Sequence, residues 1–238
     1  MADPWFVEAF REGYLDVYPH RDVESARREV AYLLARGVGG RVLDLCCGFG
    51  RHVRALRERG VDAFGIDLSL DLLRRAEDLP GRLACADARA IPFAAGSLGA
   101  VVSLFSSFGY FGDEGDRRVL GEVARVLSPD GVLVLDLMNP VRVRAALVPS
   151  TQTVRGGLRI EERRALADEG RRVVKEVSVR AQDGSTRRWR EDVRLYELEE
   201  LKEILAGTAL EIRAVHGDFD GADPSPDSIR QILWLRRR

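Results

Sequence analysis

Lysine, asparagine and cysteine are nearly missing from this 238-residue chain. Of its 37 basic residues only Lys175 and Lys202 are lysine, and Asn139 is the sole asparagine. That bias fits a GC-rich or heat-adapted source and carries no functional information. The three cysteines are Cys46, Cys47 and Cys85. Two are adjacent, which disfavours an ordinary disulfide, and no C-x-x-C or Cys/His ligand spacing occurs, so no metal site is expected. A reducing cytoplasm is the expected compartment. The formal net charge is −1, with 37 basic against 38 acidic residues. No global positive field exists to hold nucleic acid, and no acidic tail calls for a basic partner. The start, Met-Ala-Asp-Pro-Trp, lacks the basic and apolar regions of a secretory signal. The apolar runs are strand-sized, too short for a membrane span.

What is present is alternation. From Arg41 to Leu137, short apolar runs separate amphipathic stretches. Strands are expected at Val42–Leu45, Ala63–Ile66, Leu83–Cys85, Ala100–Leu104 and Val132–Leu137. Helices are expected at Arg51–Arg59, closed by Gly60; at Leu70–Asp78, capped by Ser69; and at Asp116–Leu127, stopped by the turn sequence Ser128-Pro129-Asp130-Gly131. Such units imply a parallel sheet with helices on both faces and a ligand site beyond the carboxyl ends of the strands. Before this core, residues 1–40 read as a helical cap, with Trp5–Tyr18 and Val23–Leu34 helical. Residues 151–197 read as an antiparallel β insertion of three strands, with Asp183-Gly184 as a hairpin turn. Residues 198–238 add a helix at Glu199–Leu205 and strands at Leu210–Val215 and Ile229–Leu235. Without repeats or low-complexity linkers, the expectation is one domain, 1–238, with its core at 41–150.

The chemistry concentrates at Val42-Leu43-Asp44-Leu45-Cys46-Cys47-Gly48-Phe49-Gly50, where a strand enters a small-residue loop and leaves as a helix. Gly48 and Gly50 permit close approach of a ligand. A dinucleotide fingerprint would need glycine at Val53. Asp44, at the strand end, would repel a pyrophosphate but suits a ligand bearing an ammonium and a sulfonium. Asp67, after the second strand, can accept from both ribose hydroxyls, and Asp87, after the third, from an exocyclic adenine amine, with the backbone of Ala88 donating to the ring. A single strand-end aspartate is commonly a cap or turn former; three in register are not.

On these residues, Arg41 to Pro140 resembles the class I S-adenosylmethionine-dependent methyltransferase family, of the small-molecule type. The resemblance implies a seven-stranded Rossmann-like α/β sheet with an antiparallel last strand and S-adenosylmethionine as cofactor. It places Asp44, Gly48 and Gly50 around the methionine part, Asp67 at the ribose and Asp87 at the adenine. Cys46, Leu68, Ala88 and Leu104 complete the expected cofactor wall. Cys46 departs from the family, which usually has glycine there, so its backbone should suit a residue with a Cβ. A redox role for Cys46-Cys47 competes with plain packing.

The acceptor loop after the fourth strand, Ser103 to Phe111, lacks the Asn/Asp-Pro-Pro-aromatic pattern of amino-methylating nucleic-acid enzymes, which points to a small-molecule acceptor. Phe105 and Phe108 are expected as an apolar wall, with core packing the alternative. Ser106, Ser107 and Tyr110 are expected to hydrogen-bond the acceptor, and Tyr110 and His216 are candidate bases for an oxygen acceptor. Relatives imply that the N-terminal segment covers the site, with Arg21 on the methionine carboxylate and Tyr14 or Tyr18 above it; the alternative is a helix packed on the sheet. The insertion reads as a substrate lid or a homodimer contact. Rival readings are an NAD-linked oxidoreductase, disfavoured by Val53, Asp44 and Asp87; a non-catalytic adenosylmethionine-binding module; and an RNA methyltransferase, disfavoured by the charge pattern.

Overall fold

The computed structural model describes residues 4–11, 13–18 and 22–238. Its central sheet forms from β1 (Arg41–Leu45), β2 (Asp62–Asp67), β3 (Leu83–Cys85), β4 (Leu98–Ser103), β5 (Leu127–Met138), β10 (Leu210–His216) and β11 (Arg230–Arg237). The seven strands lie in the order β10-β11-β5-β4-β1-β2-β3. β1 pairs in parallel with both β2 and β4, while β11 runs antiparallel to β5 and β10. The expected sheet, with its antiparallel last strand, is therefore the observed one. The order reverses at β1, where the connections leave to opposite sides and open a crevice at the strand ends.

Parity along β1 sets the two layers. Leu43 and Leu45 face a core built with Val119, Leu120 and Val123 of α6 (Gly112–Val126) and Leu201 and Ile204 of α8 (Leu198–Leu205). Val42 faces the other core, with Ala26, Val30 and Leu33 of α3 (Val23–Ala35) and Val53 and Leu56 of α4 (Arg51–Glu58). Asp44 shares the Val42 face, so its carboxylate enters the α3–α4 layer.

Several local expectations shift. The first helical stretch breaks at Gly13, φ +83°, into α1 (Trp5–Ala9) and α2 (Tyr14–Val17). Ser69 caps α5 (Leu70–Leu73) by accepting from the Leu72 amide, but the regular helix stops well short of the expected Asp78. Ser128–Gly131 is not a break before β5. The strand runs through it, with Asp130 left-handed and a shift in the β4–β5 register. Unforeseen is α7 (Pro140–Ala146), with proline in its first turn and the Asn139 side chain accepting from the Val141 amide.

The insertion has four antiparallel strands, not three: β6 (Ser150–Arg155), β7 (Leu158–Ala167), β8 (Arg172–Arg180) and β9 (Thr186–Arg194). β6 was hidden because it is almost wholly exposed and shows no apolar alternation. Ile160, Val177, Val179 and Trp189 of this sheet pack against Trp5, Ala9 and Phe10. The insertion thus forms the seat of the N-terminal helices. Among the described residues, no helix is long and apolar enough to cross a membrane.

Candidate active site

A cavity of about 1040 Å³, counting its open mouth, occupies the crevice at the end of β1. Its floor is Asp44 and the loop Cys46 to Phe49, with Arg51 and His52 of α4 behind. The loop turns through left-handed residues at Cys46 (φ +62°), Gly48 (+57°) and Gly50 (+75°). The Cys46 angle corrects the expectation of an ordinary backbone there: the cysteine holds a conformation that favours glycine, at a cost of roughly 1 kcal/mol. Burial, then the charges of Asp67 and Asp44, push both thiols well up, so Cys46 and Cys47 are protonated packing groups without redox partners among the described residues. Gly50 caps α4 and does not itself line the cavity.

Asp67, Leu68, Ser69 and Leu72 form one side wall. Asp67 accepts from the Gly48 amide at 2.8 Å and from the Ser69 amide at 2.7 Å, joining the glycine loop to the cap of α5. Burial raises its carboxyl, and these amides oppose the rise. Ala86 and Ala88 continue the wall, but Asp87 does not reach it; its carboxylate is paired with Arg89 at 2.6 Å. Asp44 is 1% exposed, and its Oδ2 makes no hydrogen bond among the described residues, with His52 Nδ1 3.6 Å away. A buried acceptor left this way is costly unless a ligand supplies the donor.

The acceptor loop contributes Leu104, Phe105, Ser107, Tyr110 and Phe111. Phe105 and Ser106 are both left-handed, φ +60° and +56°. The Phe105 amide donates to Oδ2 of Asp136 at 2.7 Å, and the Ser106 amide to the Asp136 carbonyl at 2.9 Å. Buried Asp136 is in turn paired with Arg230 at 2.7 Å, and the Phe105 ring lies between the guanidinium groups of Arg51 and Arg230. This turn sends Phe105 into the cavity and Phe108 into the core, where it is 3% exposed, so only one of the two expected wall rings is in place. Ser106 is likewise off the wall, and the Ser107 hydroxyl donates to the Leu104 carbonyl at 2.8 Å. Gly109, at φ +91°, lies so near β9 that an added Cβ would stand 2.9 Å from the Arg194 carbonyl.

Phe6, Val7, Phe10 and Tyr14 close the cavity from above. Phe10 stacks on Tyr110 at 5.9 Å, and its carbonyl accepts from the Ser69 hydroxyl. Tyr18 is not on the wall. Its hydroxyl donates to Glu191 at 2.6 Å and meets Lys175, tying α2 to the insertion. Arg21 lies outside the described residues. No residue of the insertion lines the cavity among those described; it borders the site through the N-terminal helices it seats and through Arg194, whose amide donates to the Gly109 carbonyl at 3.0 Å. His216 is also elsewhere: at the end of the edge strand β10 its Nδ1 lies 2.5 Å from the Tyr32 hydroxyl of α3, and burial and the Arg36 charge hold it below its ordinary value.

Residues 42–131 match the model of a methyltransferase domain. Over 209 residues the chain is 30% identical to "Putative methyltransferase YqeM" of Bacillus subtilis (strain 168), spanning 83% of this chain and 84% of that one. The chain belongs to the class I S-adenosylmethionine-dependent methyltransferases. Two solved structures share the methyltransferase fold. The CcbJ methyltransferase from Streptomyces caelestis superposes with a TM-score of 0.81 at 17% identity, covering 96% of this chain and 98% of that one. CalS10, an amino pentose methyltransferase from Micromonospora echinaspora described with SAM bound, gives 0.70 at 22% identity, covering 95% and 97%.

The cofactor of the methyltransferase is S-adenosylmethionine. The cavity fits it: the orphaned Asp44 oxygen suits a ligand carrying two cationic centres, and Asp67 has lone pairs beyond those its two amides use. Missed from the sequence were His52, Arg51, Phe6, Phe10 and Phe111. The first two signalled nothing beyond a basic helix start, since only the fold buries them against Glu29 of α3.

Proposed function

We propose that this methyltransferase acts on a nitrogen of a small-molecule amine, and that residues 1–238 work as one catalytic unit. The observation that carries the reading is the cavity's aromatic enclosure. Phe6 packs on Phe111 and Phe10 on Tyr110, and these rings line the cavity together with Tyr14 and Phe105. A space closed in this way suits a free small molecule better than a base within a long nucleic acid. Aromatic faces also stabilise the positive charge that a neutral amine acquires as it is methylated.

When bound, S-adenosylmethionine supplies an electrophilic methyl group on a sulfonium. Asp44 holds the ammonium end through its unpartnered oxygen, with the backbone of Cys46 to Gly48 shaping the floor. Asp67 accepts from the ribose hydroxyls, Leu68 and Ala88 flank the adenine with Asp87 at the rim, and Leu104 closes the side next to the acceptor. Phe105 and Tyr110 align the amine and exclude water, which is where the residues contribute most to an in-line displacement. An amine attacks with its own lone pair, so this reading assigns Tyr110 a wall role. An oxygen acceptor, with Tyr110 as base, is the second reading, favoured by the presence of Tyr110 on the cavity wall.

The test is an acceptor panel of free amines, amino sugars and matched hydroxyl compounds, incubated with labelled S-adenosylmethionine and read by mass spectrometry. Methyl transfer to nitrogen is the expected result. Transfer confined to hydroxyl compounds, or to RNA, would sink the amine reading.

A further inference from the structure

The turn after β4 is strained where it meets the cavity. Phe105 and Ser106 both hold left-handed angles, φ +60° and +56°, which residues with a Cβ seldom adopt in succession. Their supports are all distant in sequence. Asp136 of β5 accepts from the Phe105 amide through Oδ2 at 2.7 Å and from the Ser106 amide through its carbonyl at 2.9 Å. The same carboxylate accepts from Nη1 of Arg230, the first residue of β11, at 2.7 and 2.8 Å. Arg230 in turn lies on the Phe105 ring, 4.4 Å from its centre, and Arg51, paired with Glu29, lies on it at 4.2 Å. One fully buried carboxylate thus fixes the backbone of Phe105 and, through Arg230, the plane of its ring. Phe105 lines the cavity, whereas Asp136 and Arg230 stand behind it. Core packing does not demand such a turn: Phe108, three positions on, is buried without a left-handed angle. An unfavourable backbone, over-determined by its surroundings and aimed into a cavity, is the mark of a preorganised site.

We propose that Asp136 and Arg230 are positioning residues for methyl transfer: they hold Phe105 in this turn, so that its ring is set beside the reacting methyl before the acceptor arrives. The inference rests on the place given to Phe105 in the reading above. It gives a use to a buried ion pair behind the wall, and to strain that the turn would otherwise shed. In an in-line displacement, a wall that must first be ordered slows the reaction, and one ordered in advance does not.

The test is a double-mutant cycle. Arg230→Lys keeps a cation beside Asp136 and removes the planar group that lies on the ring. With labelled S-adenosylmethionine and the acceptor that the panel above identifies, it should lower kcat about ten- to hundredfold. The KM for S-adenosylmethionine and the calorimetric Kd of S-adenosylhomocysteine should stay within about threefold. Asp136→Asn should show the same split. Phe105→Leu should also lower kcat, and adding Arg230→Lys to it should cost less than about threefold more, because Arg230 acts through that ring. Losses that multiply independently would overturn the proposal, as would an unchanged kcat or a parallel fall in kcat and S-adenosylhomocysteine binding. Transfer only to hydroxyl compounds would overturn the amine reading alone; the same cycle on that acceptor still decides the role of Arg230. Ring ¹³C spectra give a reading that needs no acceptor, with Phe105 assigned among nine phenylalanines by its loss in Phe105→Leu. Its ring should differ in shift between S-adenosylmethionine and S-adenosylhomocysteine, which lacks the transferred methyl, and Arg230→Lys should narrow that difference. A difference that Arg230→Lys leaves intact would refute the positioning role. A Phe105 resonance identical with both ligands would refute its placement even if every Arg230 and Asp136 variant failed to fold.

Discussion

Replacing Asp67 by alanine should damage the fold and the cofactor site together, in amounts the structure allows to be separated. The carboxylate is the only side chain bridging the Gly48 amide, in the glycine loop, to the Ser69 amide, at the cap of α5, among the described contacts. Removing it leaves two part-buried donors without a protein acceptor, at most about 1–3 kcal/mol each. Part of that loss is offset, because burying the carboxylate is itself unfavourable, as its raised carboxyl shows. A net loss of roughly 2–4 kcal/mol in urea unfolding is expected. Ligand binding, measured by calorimetry where the variant is still folded, should weaken by a further ten- to hundredfold, about 1.5–3 kcal/mol for hydroxyls that lose a charged acceptor. Because the ribose is common to S-adenosylhomocysteine and to methylthioadenosine, which lacks the amino-acid end, both ligands should weaken alike. From the sequence alone, Asp67→Asn looks the milder change. In the structure it is not, since an amide offers one acceptor oxygen and would turn its NH₂ toward one of the two backbone donors. Alanine and asparagine variants that bind both ligands as the parent does would show that Asp67 is a loop staple and no part of the ribose site.

Three further outcomes follow from the geometry. Asp116 is fully buried against the Tyr196 hydroxyl, and burial raises its carboxyl from 3.8 to about 6. The folded state therefore binds more protons than the unfolded one between those values, and this group's contribution to stability falls as pH rises, by about 3 kcal/mol in all. The stability difference between the parent and Asp116→Asn should change by that order between pH 4 and pH 7, and a pH-independent difference in urea midpoints would contradict it. Ser106→Gly should stabilise the chain by up to about 1 kcal/mol, since glycine accepts φ +56° freely but loses more entropy on folding; a lower melting temperature would show that the serine side chain matters. In hydrogen exchange, S-adenosylhomocysteine should protect α1, α2 and the Cys46–Gly50 loop but not β6 to β9, which contribute nothing to the cavity wall. Protection across the insertion would restore it as a direct lid.

The sheet, its order of elements and the glycine loop are legible in the sequence, because these are written locally. Apolar runs of strand length alternate with amphipathic helices, and Asp44 and Asp67 each follow an apolar run, at the ends of β1 and β2. Local signals also located the caps at Ser69 and Gly60 and the hairpin at Gly184. Which side chains share the cavity depends instead on the packing of distant elements. Phe105 and Phe108 are three residues apart and chemically identical, yet one is wall and the other core, because buried Asp136 and Arg230, distant in sequence, hold the turn between them left-handed. His216 looks like a base in one dimension and is spent on Tyr32 in three. His52 carries no motif of its own; only the fold sets it between Glu29 of α3 and Asp44 of β1. The physical reason is the same in each case. Secondary structure follows from interactions between near neighbours in the chain, whereas the state of a buried polar group is set by whichever partners the packing of distant elements brings within hydrogen-bond reach.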